Sequence, residues 1–304
     1  MGRLPAMISI CLLESGGGSV MDVAKILSVL ATNPEYAKDL TDAGRIAREG
    51  KPTVMIPTTA GTGSETTINA IFTIPDRQLK YGVVSDKFMP TYVLLDPDMT
   101  AKLPKPITAS TGMDAFCHAI ECFISRKSNS ASDELALRAI RLISQNLPAA
   151  FRDDSDKKAR LGMMIAATIG GMCISSSGTT AVHALSYPLG GRYRIPHGIS
   201  NAILLPSVME YNRDAVEDKL CRVAEAMALD TRGLSREETA RKVIAAIYEL
   251  EDTLQIQRNL LRFGVTEKDI PSLSAEAHQV RRLLDNNPKD MSVSDIAYIY
   301  RQVL

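Results

Sequence analysis

Short apolar runs separated by Gly, Pro and Thr clusters fill the first third of the chain. Runs at 8–13, 53–56, 70–74, 81–84 and 92–95 have the length and side-chain types of buried strands, and Ile8, Ile10, Leu12 and Leu13 form the first of them. Between the first two runs, 20–31 repeats apolar residues at helical spacing. Strand, helix and strand in that order predict an α/β region. Past Pro104 and Pro106 the pattern changes: 110–125, 132–146, 159–174, 237–250 and 292–303 read as long amphipathic helices, and no further strand is expected. Ser292 followed by Asp295 is a capping pattern for the last of these. The expected division is an α/β region over 1–102 and an all-helical region over 103–304.

Composition bounds what such a chain can do. Its 304 residues suit two domains, and 45% hydrophobic with 23% charged content is enough for a sizeable core and too apolar for disorder. Thirty-five basic residues balance thirty-five acidic ones, which removes the positive field that a nucleic-acid backbone or an anionic membrane surface would need. Neither partner is expected. The five cysteines are odd in number and contain no CxxC pair, a usage that fits a reducing cytoplasm. No uninterrupted apolar run reaches the roughly 18 to 20 residues of a membrane span.

Two loops are suited to a nucleotide. Gly16, Gly17, Gly18 and Ser19 follow a predicted strand and open a predicted helix whose first turn carries Asp22. Glycines there let backbone approach a ligand, and unpaired amides at the helix start attract phosphate. A tight strand-to-helix turn with no ligand has the same pattern. The second loop, 57–65, places Thr58, Thr59, Thr62 and Ser64 with two glycines after another predicted strand, which suits phosphate and ribose oxygens. A polar hairpin turn is its other reading.

The histidines suggest a metal. Asp114 and His118 stand at i, i+4, which puts a carboxylate and an imidazole on one helix face. His183 lies in what reads as a short helix ending at a Pro188–Gly190 boundary, and His197 lies in a Pro-His-Gly turn that can fix an imidazole inward. One carboxylate oxygen with three imidazole nitrogens suits Fe(II) or Zn(II) with room for a substrate oxygen. His278 has no partner of this kind, and Cys117 and Cys122 read as small buried hydrophobes.

With these residues in hand, the chain resembles the iron-containing (group III) alcohol dehydrogenase family. The resemblance rests on GGGSVMDVAK at 16–25, PTTAGTGSE at 57–65, STGMDAFCHAIE at 110–121 and VHALSYPLGGRYRIPHGISNAILLP at 182–206, in the family's order, with a closing motif at 286–289. It implies a truncated Rossmann-like nucleotide-binding domain followed by an all-α metal-binding domain. It also implies that Gly17, Gly18 and Ser19 contact the pyrophosphate of NAD or NADP, with Asp22 in the same loop. Thr58, Thr59, Thr62 and Ser64 would line the cofactor, and Lys80 would lie near its ribose. Asp114, His118, His183 and His197 match the family's metal ligands.

Two departures stand out. Many members carry a second His four positions after the third ligand, where this chain has Tyr187, whose hydroxyl is a poor base near neutral pH. Members also carry further βαβ structure ahead of the glycine loop, where about fifteen residues precede Gly16 here. The implied activity is hydride transfer between a small alcohol, or an aldehyde or ketone, and NAD(P), in a cytoplasmic homo-oligomer such as a dimer. The alternative is a metal-binding homologue with a structural or assembly role.

Overall fold

Three of the apolar runs, at 12–16, 53–57 and 69–74, fold as strands packed on the helix at 18–30. The computed structural model describes residues 11–74 and 79–304. Its elements are β1 (Leu12–Gly16), α1 (Gly18–Leu30), β2 (Thr53–Pro57), β3 (Asn69–Ile74), β4 (Leu79–Val84) and β5 (Tyr92–Val93). Then come the helices α2 (Lys105–Ile124), α3 (Ser130–Arg152), α4 (Lys157–Ser177), α5 (Ala181–Tyr193) and α6 (His197–Asn212). The last helices are α7 (Glu217–Ala226), α8 (Arg236–Thr253), α9 (Ile270–His278), α10 (Arg281–Leu284) and α11 (Val293–Gln302). The first strand begins at Leu12, and the expected strand positions Ile8 and Ile10 lie outside the described residues.

The described residues separate into two compact units, one drawn from Met1–Thr58 with Ser64–Leu94, the other from Thr59–Gly63 with Leu95–Leu304. In the first, β1, β2 and β5 form a parallel sheet in the order β1-β2-β5, with Leu12 opposite Thr53 and Val54 opposite Tyr92. A parallel connection between β1 and β2 needs a crossover, and α1 supplies it. The 70–74 and 81–84 runs do not join this sheet. They pair antiparallel with each other, Ala70 opposite Val83. Loop 57–65 is accordingly no hairpin turn, because the strands on either side of it lie in different sheets. Ile26, Val29, Tyr36, Ile46, Ala70, Val83 and Phe88 form one core of this unit, and Met21, Ala24 and Met55 a second.

The second unit is helical throughout its described length, built on one continuous core to which α2 through α11 contribute. The capping pattern at α11 forms as expected: the Ser292 hydroxyl accepts from the Asp295 amide at 3.2 Å while the Asp295 carboxylate accepts from the Ser292 amide at 2.8 Å. α4 departs from the sequence reading, since by length and composition it is apolar enough to cross a membrane. Most of its span is buried, and it packs on α2 and α3, so its apolar surface belongs to the core of this unit.

Candidate metal centre

α2 is the scaffold of the site. Fifteen of its twenty residues are buried, among them Asp114, His118 and Glu121 at i, i+4 and i+7. That spacing aligns three polar side chains along one face, toward α5 and α6, while Phe116, Ile120 and Phe123 fill the core. Buried polar groups at such positions cost free energy unless each finds a partner.

Glu121, fully buried, finds four on one oxygen. Its Oε1 accepts from the Thr180 amide (2.9 Å), the Thr180 hydroxyl (2.8 Å), the Val182 amide (2.9 Å) and the His183 amide (3.4 Å). These are the orphan donors at the start of α5, whose own N-cap residue Thr180 makes no side-chain cap. A carboxylate from another helix caps α5, helped by the positive end of the helix dipole. Its other oxygen accepts from His183 Nδ1. That contact fixes the His183 tautomer, leaving the Nε2 lone pair turned to Asp114. Glu121 was quoted in the sequence motif and assigned no role there.

α5 and α6 differ from the sequence reading. α5 does not end at Pro188 and Gly190; it continues to Tyr193 and stops where Arg194 turns left-handed, at φ 54°. His197 sits at the first position of α6, capped by Pro196, and not in a turn. Proline suits a helix start because the first amides have no intrahelical acceptor. Gly198 explains how this helix start comes so near α2: a Cβ there would lie 2.0 Å from the Ser110 carbonyl oxygen. We expect Gly198→Ala to cost at least ~2 kcal/mol of stability through overpacking and to push His197 from Asp114. Thermal melts and metal content measure the two effects.

The four predicted ligands converge. Asp114 Oδ1 lies 3.9 Å from His118 Nε2, 3.8 Å from His183 Nε2 and 3.8 Å from His197 Nε2. Asp114, His183 and His197 form the tightest group, with donor atoms within 4.8 Å of one another, and the His118 ring stacks on His183 at 4.6 Å. His118 Nδ1 donates to the Gly61 carbonyl at 3.3 Å, which leaves its Nε2 lone pair for the same point. Burial holds the His118 imidazole below its usual pKa, against the pull of Asp114. For Asp114 burial acts upward, but His118, His197 and His183 outweigh it and hold the carboxylate ionised. The His197 side chain is the exposed member of the group, at 37% against 4% for Asp114 and His183.

Asn201, one turn after His197 and also unassigned from sequence, shows how these residues suit a cation. Its Nδ2 reaches Asp114 Oδ1 at 2.7 Å and the Nε2 atoms of His183 and His197 at 3.2 Å each. An amide carries two hydrogens, too few for three acceptors, and Asn201 Oδ1 is buried with no partner. Lone pairs aimed at one point, with too few protons between them, are the donor set of a divalent ion. One carboxylate and three imidazoles suit iron or zinc.

Tyr187 lies one turn beyond His183, its ring 6.2 Å from that of His197. Burial raises its hydroxyl pKa, partly offset by the positive charge of Arg282. A general-base role at neutral pH does not fit that environment.

The glycine and threonine loops belong largely to the first unit. Gly17 is extended (φ −80°, ψ −179°) and caps α1 with no side chain, and Ser19 is exposed in the first turn. Thr58 donates its amide to the Gly16 carbonyl at 3.0 Å, joining the two loops. Thr59 and Thr62 fall in the Thr59–Gly63 segment of the helical unit and are half-buried. Asp22 and Ser64 point inward: the Ser64 hydroxyl donates to Asp22 Oδ1 at 2.6 Å, and Asp22 Oδ2 accepts from the Ile71 amide at 3.2 Å. Burial raises the Asp22 pKa, against the pull of Lys25. Lys80 lies on β4 opposite Thr73, its side chain outside the described residues.

Lys25 is the hub of this arrangement. Its buried ammonium donates to Ser64 Oγ (2.9 Å), Thr67 Oγ1 (2.9 Å) and the Asn69 carbonyl (2.8 Å). Burial lowers its pKa to about 8 despite Asp22. Between that value and the 10.5 of the unfolded chain, the unfolded state binds more protons, so stability rises with pH across the window. We expect a rise of about 3 kcal/mol from pH 8 to 10.5, absent in Lys25→Met, in denaturant titrations of the two proteins.

The comparisons with known proteins point to one family. A family model described as iron-containing alcohol dehydrogenase matches residues 11–97, and one described as Fe-containing alcohol dehydrogenase family, C-terminal, matches 108–304. Long-chain-alcohol dehydrogenase 1 of Geobacillus thermodenitrificans (strain NG80-2) is 36% identical over 288 residues, which is 94% of this chain and 72% of that protein. The crystal structure of a 1,3-propanediol oxidoreductase superposes with a TM-score of 0.92 at 35% identity, covering 97% of this chain and 77% of that one. Sulfoacetaldehyde reductase from Bifidobacterium kashiwanohense, solved in complex with NAD+, gives a TM-score of 0.85 at 29% identity, covering 96% and 75%. The helical unit holds a carboxylate–imidazole centre and the first unit a strand, glycine loop and helix; with the family matches, these make the chain a metal-dependent, nicotinamide-linked oxidoreductase. The chain belongs to the iron-containing alcohol dehydrogenase family.

Proposed function

We propose that this chain transfers hydride between a small alcohol, or the matching aldehyde or ketone, and NAD, with Fe(II) held by Asp114, His118, His183 and His197; Zn(II) and NADP are the alternatives to be tested. The observation that carries the reading is the convergence of three imidazoles within 3.9 Å of one buried carboxylate oxygen. When bound, the ion supplies Lewis acidity toward an alcohol or carbonyl oxygen, and the nicotinamide accepts or returns hydride.

The chain's own residues do the rest. Glu121 and the Gly61 carbonyl hold the His183 and His118 rings in the tautomer that ligates through Nε2. The exposed side at His197 admits the substrate. Tyr187 keeps its hydroxyl proton and donates a hydrogen bond. Gly17, Gly18 and Ser19 receive the pyrophosphate at the start of α1. Thr58, Thr59 and Thr62 line the nucleotide, and Lys80 stands near its ribose. Asp22 and Ser64 serve one step back, since with Lys25 they fix the loop that makes contact.

Five unpaired cysteines support a reducing cytoplasmic setting, and the named relatives support a small-molecule substrate. The assembly we propose is a homo-oligomer, a dimer at least. Anaerobic protein loaded with ferrous or zinc ion and assayed on an alcohol series with NAD+ and NADP+ tests the reading. Alcohol-dependent formation of reduced cofactor supports it, and none with either ion rejects it.

A further inference from the structure

Asn201 stands where a further donor to the ion would stand. It follows His197 by four residues on α6, one turn on along the same face, and it is fully buried. Its amide nitrogen is 2.7 Å from Asp114 Oδ1 and 3.2 Å from the Nε2 atoms of both His183 and His197. Adjacent donors on an octahedral ion with bonds of ~2.1 Å lie about 3.0 Å apart. The end of the amide therefore has the spacing of an adjacent donor from three of the four ligands. The other atom of that amide, Oδ1, is buried with no hydrogen-bond partner. A buried carbonyl oxygen without a donor calls for a reason.

Two amide hydrogens and a divalent ion cannot share the same lone pairs, whereas an amide oxygen at that point adds to the ion's shell. The last torsion of an asparagine is broad and roughly two-fold, so a half-turn exchanges NH2 for oxygen with little movement of the rest of the side chain. We propose that Asn201 presents Oδ1 to the ion as a fifth protein donor, and that this donor makes the site prefer Fe(II) to Zn(II). This rests on the metal-centred hydride-transfer reading above and specifies its metal. Catalytic zinc is commonly held by three protein donors and one further oxygen, whereas five protein donors and a substrate oxygen make the six that suit ferrous ion. An amide also adds its oxygen without adding negative charge, so the ion keeps its Lewis acidity toward the substrate.

The test measures Fe(II) and Zn(II) affinities by anaerobic competition titration for wild type, Asn201→Leu and Asn201→Asp. Leucine keeps the volume and removes the oxygen, and aspartate keeps an oxygen at the same reach. Asn201→Leu lowers Fe(II) affinity on the order of 10-fold and Zn(II) affinity by less than about threefold, and Asn201→Asp restores the Fe(II) affinity. Equal losses for the two ions overturn the proposal, because an Asn201 that only hydrogen-bonds Asp114 would weaken both alike. Visible absorption of the Co(II)-loaded protein is a second readout that needs no turnover. Wild type gives the weak bands of a five- or six-coordinate ion, and Asn201→Leu gives stronger ones as a donor is lost. Wild-type protein with the intense bands of a four-coordinate ion overturns the fifth donor without any variant. An Fe(II) preference that Asn201→Leu abolishes, in protein that turns over no alcohol, would overturn hydride transfer and leave the fifth donor standing. Alcohol oxidation by protein whose Fe(II) and Zn(II) affinities fall alike in Asn201→Leu would do the reverse.

Discussion

Glu121→Gln lowers metal affinity by about 10- to 100-fold while the protein still folds, and Glu121→Ala lowers both affinity and stability. The glutamine keeps a carbonyl oxygen for the Thr180 and Val182 donors, so the start of α5 stays capped. Its NH2 group, however, faces His183 Nδ1. Two donors then oppose each other, and the ring relieves the conflict by moving its proton to Nε2, the atom that must ligate. Alanine removes the acceptor altogether and strands three buried amides and a hydroxyl. At ~1–3 kcal/mol for each unsatisfied group, a loss of at least ~3 kcal/mol is expected. Metal titration monitored by calorimetry and thermal melting of the metal-free proteins separate the two effects. Equal affinity in wild type and Glu121→Gln would remove Glu121 from the account.

His197→Ala has the opposite profile. Its side chain is partly exposed, so truncation costs ~1 kcal/mol or less of fold stability. The same change deletes the exposed ligand of the group. Retained metal is expected below a tenth of the wild-type level, and turnover falls at least ~1000-fold, since Lewis-acid stabilisation is worth several kcal/mol. Near-normal melting with lost metal distinguishes this ligand from a merely structural histidine.

Much of this was legible in the sequence. The strands of the first unit follow from apolar runs bounded by turn residues, and the i, i+4 spacing of Asp114 and His118 pointed to the metal face of α2. What was not legible depends on contacts between distant segments. Glu121 acts on residues about sixty positions away, and nothing local distinguishes it from an ordinary helical acid except its place on the His118 face among Ile120 and Cys122. Asn201 repeats the i, i+4 spacing from His197, a signal that could have found it. Proline is ambiguous punctuation: α5 tolerates Pro188 inside its last turns, and α6 begins directly after Pro196. The separate β3–β4 pair is not legible in the sequence, because an apolar run does not say which strand it will pair with.

The most direct test is to count ions. Protein purified without oxygen is analysed for iron and zinc by plasma mass spectrometry, and the same samples are assayed for alcohol-dependent reduction of NAD+, before and after chelation. The account predicts one divalent ion per chain, held in wild type and lost in His197→Ala, with activity that follows the ion down on chelation and back on readdition. Wild-type protein that carries no ion at Asp114, His118, His183 and His197 yet oxidises alcohol at full rate would contradict it.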